Sequence, residues 1–497
     1  MRERLKTAPS DVICEYLFRP AIEDDSKRSF HNMVRVNLAH ALMLERQEII
    51  SKEDATKLLD VLVSLGSGGP DSIELNPQLE DYYFNFESYI VSQVGLDTGG
   101  KLHTGRSRND LHGTLTRMNV RDAILNLYTM ILDLRSMLLK IAREHTGTVL
   151  TGYTHMQPAQ PITLAHYFTA VAQAVERDWQ RLEGSYKRLN YCPLGSGAFA
   201  GTSFDIDREF TAELLGFYGP IENSLDAIAS RDYLLEISSS FATLGSTINR
   251  LATDLYIWST DEFSLIEVDD SLAACSSIMP QKKNPITLEH VKSKTSHLLS
   301  AYVSVFSCLK GVPYGHCRDV AGESVGLFWE ACSQLEAILQ LLNATIQTMK
   351  INTENMGFKA NRNYSTVTEL ADALVRQMNL PFRVAHQIVG SVVGDCVEAG
   401  LSCSDITVEM LNTAVGNYTQ SCSLDWTQEE LDNILDSAHS VNNKRSLGSP
   451  APGECDKLIA ALRARLDQDI NTYWQMGREL NEAYERLNNE VIRIISS

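Results

Sequence analysis

Apolar residues recurring at three- and four-residue steps run through the middle of this chain. That spacing constrains its fold more than any other feature. From Leu115 to Ala142 they fall at Met118, Ala123, Ile124, Leu127, Met130, Ile131, Leu134, Met137, Leu138 and Ile141, the repeat of one helical face. Comparable stretches run from Ile162 to Leu189, Tyr233 to Trp258, Pro285 to Leu309 and Glu323 to Met349. The Tyr233–Trp258 stretch is apolar on nearly every face, which marks a helix buried among other helices. Period-two alternation is rare, and no strand–helix–strand rhythm occurs. Long helices in succession predict an all-α protein built on an elongated bundle. Shorter helical patterns flank it, at Val36–Glu45, Lys52–Leu65, Val367–Met378 and Ala385–Ala399. The expected organisation is an N-terminal helical domain 1–101, a central long-helix domain 102–360 and a C-terminal helical domain 361–497. Leu194-Gly195-Ser196-Gly197 and Gly448-Ser449-Pro450-Ala451-Pro452-Gly453 read as loops.

Charge and cysteine usage narrow the function. A net charge of -19 over 497 residues argues against nucleic acid or an anionic membrane as partner, though not against an acidic small molecule held in a local basic pocket. No apolar run reaches membrane-spanning length, and Met1-Arg2-Glu3-Arg4 leads into no apolar signal segment. The ten cysteines form no CxxC pair and no metal-ligand spacing. Buried reduced thiols are the expected state, which points to the cytoplasm.

Three polar islands interrupt the apolar pattern, each at or beside the start of a long helix. The first is His103-Thr104-Gly105-Arg106-Ser107-Arg108-Asn109-Asp110. Gly105 allows a tight turn, Arg108 can fork onto a carboxylate and Asn109 adds a neutral donor; a helix cap with solvated arginines is the plainer reading. The second is Gly152-Tyr153-Thr154-His155-Met156-Gln157-Pro158-Ala159-Gln160-Pro161, where two prolines stiffen a loop that carries Thr154, His155 and Gln160. The third is Ser276-Ser277-Ile278-Met279-Pro280-Gln281-Lys282-Lys283-Asn284-Pro285. Its hydroxyls, Lys282 and Asn284 can fold around one small anion. Asn284-Pro285 is also a good Ncap–N1 pair, and a helix N-terminus is itself an anion site.

Together the islands resemble the signatures of the aspartase/fumarase superfamily, in its argininosuccinate lyase branch. Pro193-Leu194-Gly195-Ser196-Gly197-Ala198, Asn223-Ser224-Leu225-Asp226-Ala227 and Ser440-Val441 followed by Gly448 fit as well, so the likeness spans nearly the whole chain. It implies an all-α homotetramer with a twenty-helix core, each active site drawing on three subunits, and neither metal nor organic cofactor. The chemistry it implies is β-elimination from an N-succinyl group with release of fumarate. Removing the Cβ proton places two negative charges on one carboxyl group, which preorganised donors must meet. By resemblance Ser277, Lys282, Asn284, Thr154, Arg108 and Asn109 hold the carboxylates. Ser107, Gln160, Lys283 and His316 are counted as substrate-binding with them. Ser276 is the implied base, with Lys282 and inward-pointing loop amides lowering its pKa. His155, with Glu289 as carboxylate partner, is implied beside the leaving amine, either delivering the proton or orienting the group that does.

The departures from that branch concern the amine half of the substrate. The branch reads the amino-acid end with a Tyr, a Gln and a Lys after a Lys-Gly-Leu-Pro element. Here the element is Lys310-Gly311-Val312-Pro313, and the three positions hold His316, Ala321 and Ser324. Ile286 replaces the branch's Asp, Tyr83 its His, Cys275 its Gly, and Asn37 a substrate-contacting Ser. A charged group buried without its partners costs several kcal/mol, so argininosuccinate is expected to bind poorly. The expectation is a C–N lyase for another N-succinyl amine, such as the aminopolycarboxylate handled by ethylenediamine-N,N'-disuccinate lyase. Argininosuccinate lyase proper and a catalytically inactive structural relative are the alternatives.

Overall fold

The computed structural model describes residues 4–419 and 424–497. Before the bundle come α1 (Arg19–Arg46), α2 (Lys52–Gly68) and α3 (Tyr82–Val94). The bundle begins with α4 (Arg108–Glu144), followed by the hairpin strands β1 (Val149–Thr154) and β2 (Gln157–Thr163). Next come α5 (Leu164–Leu189), α6 (Asp232–Trp258), β3 (Ile266–Glu267), β4 (Ala274–Cys275), β5 (Lys283–Asn284), α7 (Ile286–Leu309), α8 (Ser324–Thr348) and β6 (Lys350–Ile351). The chain closes with α9 (Val367–Met378), α10 (Phe382–Glu398), α11 (Val408–Tyr418), α12 (Gln428–Leu435) and α13 (Pro452–Ile495). The expected all-α class holds. Among the described residues the strands form only short two-stranded pairs.

Each long apolar stretch is a helix, with ends set by local chemistry. A capping box at Ser107 and Asp110 starts α4 about two turns before the apolar pattern that begins at Leu115. Thr163 caps α5 by accepting from the His166 amide. The helix after the third island begins at Ile286, with Pro285 as its N-cap, because Asn284 is held in β5 by pairing with Ala274. A π-helical turn at Asp319–Glu323 leads into α8; such turns often mark functional sites.

Three apolar cores organise the packing. Helices α4 to α8 share one, where Trp179, Phe241 and Phe328 are almost fully buried. A second gathers Phe30, Tyr82 and Phe86 with Leu194, Leu215 and Val491. A third is confined to α9–α12, around Leu370, Ile388, Leu411 and Leu431. The 44-residue α13 begins inside the stretch read as a loop, because Pro452 is a preorganised first helical residue. It packs in the first two cores through Leu462, Leu466, Leu487 and Val491. Buried Arg135 on α4 grips it through Asp469 Oδ2 at 2.6 Å, and Arg465 reaches back to Glu176 Oε1 at 2.6 Å. We keep 1–101, 102–360 and 361–497 as a proposed division by chain order, with α13 packing outside the third core. No described helix is long and apolar enough to cross a membrane.

Phe241 on α6 and Phe328 on α8 stack at 5.8 Å between ring centroids. Phe241→Ala is expected to cost about 3–5 kcal/mol through the cavity it leaves. Denaturant unfolding of variant and parent checks this; a loss below about 1 kcal/mol would mean the bundle closes over the gap.

Candidate active site

The first island is built at the N-terminus of α4. Ser107 is its N-cap, accepting from the Asn109 amide at 3.3 Å, while Asp110 Oδ1 accepts from the Ser107 amide at 2.9 Å. Asp110 Oδ2 accepts from the Gly195 and Gly197 amides, both at 2.9 Å, so one buried carboxylate docks the 194–197 loop onto the helix start. Both glycines are required: their φ values are +83° and +62°, and a Cβ would lie 2.7 Å from Arg208 Cγ or 2.6 Å from the Gly201 carbonyl oxygen. Asn109 Nδ2 donates to the Ala198 carbonyl at 3.0 Å on the same loop.

Arg108 is clamped from the α3 side. Its Nη1 donates to Asp81 Oδ2 at 2.6 Å and lies 3.7 Å from Glu80 Oε2, and its guanidinium sits 4.1 Å over the Phe84 ring. His112, one turn along α4, brings Nε2 to 3.8 Å from the same Asp81 oxygen. Burial opposes the charge on Asp81, but His112, the Phe84 amide and Arg108 outweigh it and hold the carboxyl below its ordinary value. Burial likewise opposes charge on His112, but Asp81 and then Asp25 raise its pKa. His112 and Asp81 belong to no motif legible in the sequence; the available signal is the four-residue step from Arg108 to His112, which puts both on one helical face.

Two positions that depart from the family pattern meet at Arg106. This buried guanidinium donates to Asn37 Oδ1 and, at 3.2 Å, to the Tyr83 hydroxyl, and Tyr83 is 2.9 Å from His103 Nδ1. Asn37 and Tyr83 therefore brace the island from behind.

The second island is a β-hairpin, not the proline-stiffened loop that its sequence suggests. Pro158 pairs with Tyr153 and Pro161 with Thr151, both inside the ladder. Thr154 pairs with Gln157, leaving His155 and Met156 as a two-residue turn with φ of +53° and +59°. That is the type I′ geometry usually given to Asn-Gly. Thr154, His155, Met156 and Gln160 are all exposed. At the other end of the hairpin, Thr151 Oγ1 accepts from Asn363 Nδ2 at 2.8 Å.

The third island is the loop between β4 and β5, closed by the pairs Ala274–Asn284 and Cys275–Lys283. Ser276 Oγ accepts from the Met279 amide at 3.0 Å and the Ile278 amide at 3.4 Å. Ser277 and Lys282 are exposed, and Asn284 is half-buried. Lys283 Nζ is 2.7 Å from Glu267 Oε1 and 2.6 Å from Asp270 Oδ1. Glu289 is exposed on the first turn of α7.

His316 belongs with the first island. Burial lowers its pKa, and the charges of Arg231, His112, Arg318 and Arg108 lower it further, so it lies within the field of the α4 start. The other islands share the opposite end of the bundle. The Tyr153 and Phe263 rings are 5.9 Å apart, and Lys283 binds Glu267 a few residues on. The 37 residues of α4 separate Arg108 from the hairpin by about 55 Å at 1.5 Å per residue. One chain therefore joins the second and third islands at one end, and the first island with His316 at the other.

Two outcomes test this geometry. The folded-state pKa of His112 lies above the ordinary imidazole value of about 6.5, so its stabilising contribution is complete below that value and is lost as pH rises through the folded-state pKa. The stability gap between parent and His112→Asn should be widest near pH 6 and shrink toward pH 9, read from unfolding midpoints. Met156→Gly should raise stability: relief of left-handed backbone is about 1–2 kcal/mol, against about 0.5–1 kcal/mol of added chain entropy. A lower melting temperature would contradict the strained turn.

Residues 25–299 match the family model described as Lyase, and residues 364–442 the one described as Argininosuccinate lyase C-terminal. Argininosuccinate lyase 1 of Shouchella clausii is 43% identical over 97% of this chain and 96% of its own length. Argininosuccinate lyase of Methanosarcina acetivorans is 37% identical over 98% and 97%. A solved structure of EDDS lyase in complex with formate superposes with a TM-score of 0.88 at 30% identity, covering 99% of this chain and 97% of that one. The chain belongs to the argininosuccinate lyase branch of the aspartase/fumarase superfamily and is a fumarate-releasing carbon–nitrogen lyase.

Proposed function

We propose that this enzyme cleaves an N-(1,2-dicarboxyethyl) amine, reversibly, to fumarate and the free amine, and that the amine is not arginine. Ser276 as alkoxide takes the Cβ proton, the electron pair forms the carbon–carbon double bond, and the C–N bond breaks to the amine nitrogen. The observation that carries this reading is the pair of backbone amides directed at Ser276 Oγ. Amides that donate to an oxyanion favour its charged form. Ser277, Lys282, Asn284, Thr154, Arg108 and Asn109 hold the two carboxylates, and His155 with Glu289 serves the leaving nitrogen. Ser107 and Gln160 support these groups as helix cap and hairpin residue. Because the islands lie at opposite ends of one subunit, the complete site is proposed to form in a homotetramer from three chains.

The substrate reading rests on the α7–α8 connection. Ser324 is buried and its Oγ donates to the Val320 carbonyl at 2.8 Å, so it offers nothing to an amino-acid carboxylate. Ala321 has no polar side-chain group. His316 alone remains to read the amine half, which favours an aminopolycarboxylate or another N-succinyl amine. Argininosuccinate lyase proper is the second reading, favoured by the names of relatives that align over nearly the full chain.

The test incubates enzyme and fumarate with a panel of amines, arginine included, and detects N-succinyl adducts by mass spectrometry. An adduct with a non-arginine amine is expected, and Ser276→Ala should lower its formation about 10²–10⁴-fold, the usual contribution of a positioned base. Efficient turnover with arginine would select the second reading. No adduct with any amine would remove both.

A further inference from the structure

The loop that carries Ser276 is weakly tied to the rest of the protein. Its ladder is two residue pairs long. The hydrogen bonds within 276–282 are local: Ser276 Oγ accepts from the Ile278 and Met279 amides, and the Met279 carbonyl accepts from the Lys282 amide at 3.1 Å. The direction of Ser276 therefore depends on whatever holds the feet of the loop.

One foot is held by charge. Lys283 Nζ bridges Glu267 Oε1 at 2.7 Å and Asp270 Oδ1 at 2.6 Å, and Glu267 Oε2 lies 3.7 Å from Lys350 Nζ. Glu267 is in β3, which pairs with β6 directly after α8. The cluster thus joins the loop to the frame of the bundle through the segments that follow α6 and α8. Lys283's hydrogen bonds are the leading cause that holds both Glu267 and Asp270 below their ordinary values. Strand geometry adds a second constraint. Lys283 and Asn284 are successive residues of β5, so their side chains leave opposite faces. If Asn284 faces the dicarboxylate, Lys283 faces away from it.

We propose that Lys283, counted by its motif with the substrate ligands, is instead a positioning residue, clamped by Glu267 and Asp270 to aim the Ser276 loop. This rests on the reading of Ser276 as the base. Exposed ion pairs contribute little to global stability, but a misplacement of about 1 Å at a reacting group costs on the order of 100-fold in rate. The clamp should therefore matter to turnover far more than to unfolding.

A double-mutant cycle tests it: Lys283→Met, the pair Glu267→Gln with Asp270→Asn, and all three together. The readouts are kcat and KM on whichever N-succinyl substrate the amine panel identifies, melting temperature, and amide hydrogen exchange across 276–284. The clamp predicts that each arm lowers kcat about 10- to 100-fold with little change in KM. The combined variant should be no worse than either arm, exchange in the loop should accelerate in all three, and Lys283→Arg should keep most of the activity. If Lys283→Met raises KM while the carboxylate variant behaves as the parent, Lys283 binds substrate and the proposal fails. Unchanged exchange in every variant also overturns it, and that readout stands even if no N-succinyl compound is turned over, an outcome that would count against the reaction itself.

Discussion

The length of α4 sets the terms for everything else in this structure. A buried helix of 37 residues is a rod of about 55 Å, and no side chain bridges such a distance. Arg108 and Asn109 are fixed at one end; Thr154 and His155 follow the other. α7 repeats the separation as it runs back against α6 and α8, because the Ser276 loop precedes it and His316 follows it. The donors proposed for one dicarboxylate lie at both ends of the rod, so a single subunit cannot present them together. The bundle that makes each half rigid also makes association with further copies a requirement of the proposed chemistry.

Electrostatics at each end serve rigidity in different ways. At the α4 start, Asp110 is buried and satisfied by three backbone amides, which welds helix, cap and the 194–197 loop into one unit. Asp81 then fixes the direction of Arg108, and the aromatic face of Phe84 limits its swing. At the opposite end the anchors are weaker: a strained two-residue turn, a two-pair ladder and a surface ion cluster. In the proposed assembled site a preformed fork at Arg108 therefore meets more weakly anchored loops.

The helices were legible because burial on one face writes a periodic pattern, and α4 through α8 bury such faces against each other. α13 was not, because its apolar residues are spread thinly among charges over 44 residues, and its attachment relies on Arg135, Asp469, Arg465 and Glu176 as much as on apolar contact. The 149–163 hairpin escaped notice for a related reason: prolines at 158 and 161 argue against a strand, yet a two-stranded ribbon is all edge and tolerates them. Motif reading located Ser276, Arg108 and Thr154 as polar breaks in apolar sequence. It could not show that Lys283 turns to Glu267 and Asp270, since side-chain direction in a strand depends on a ladder that sequence alone does not reveal. His112 was invisible for the converse reason, being a single polar residue inside a helix whose importance comes from Asp81, 31 positions earlier in the chain.

The groups proposed to serve the two halves of the substrate lie in separate parts of the scaffold. Within a subunit the Ser276 loop and His316 are divided by the 24 residues of α7, about 36 Å. The π-helical turn at Asp319–Glu323 can change the residues facing an amine without disturbing the ladder that aims Ser276. Replacing a long lysine by Ser324, whose hydroxyl satisfies its own helix backbone, removes a charge and leaves no buried polar group unpaired. Loss of that contact therefore costs the fold little, while it withdraws a partner from any charged amine end. On the proposed reading the elimination can persist while its amine changes, because the groups assigned to each lie at opposite ends of α7 within a subunit.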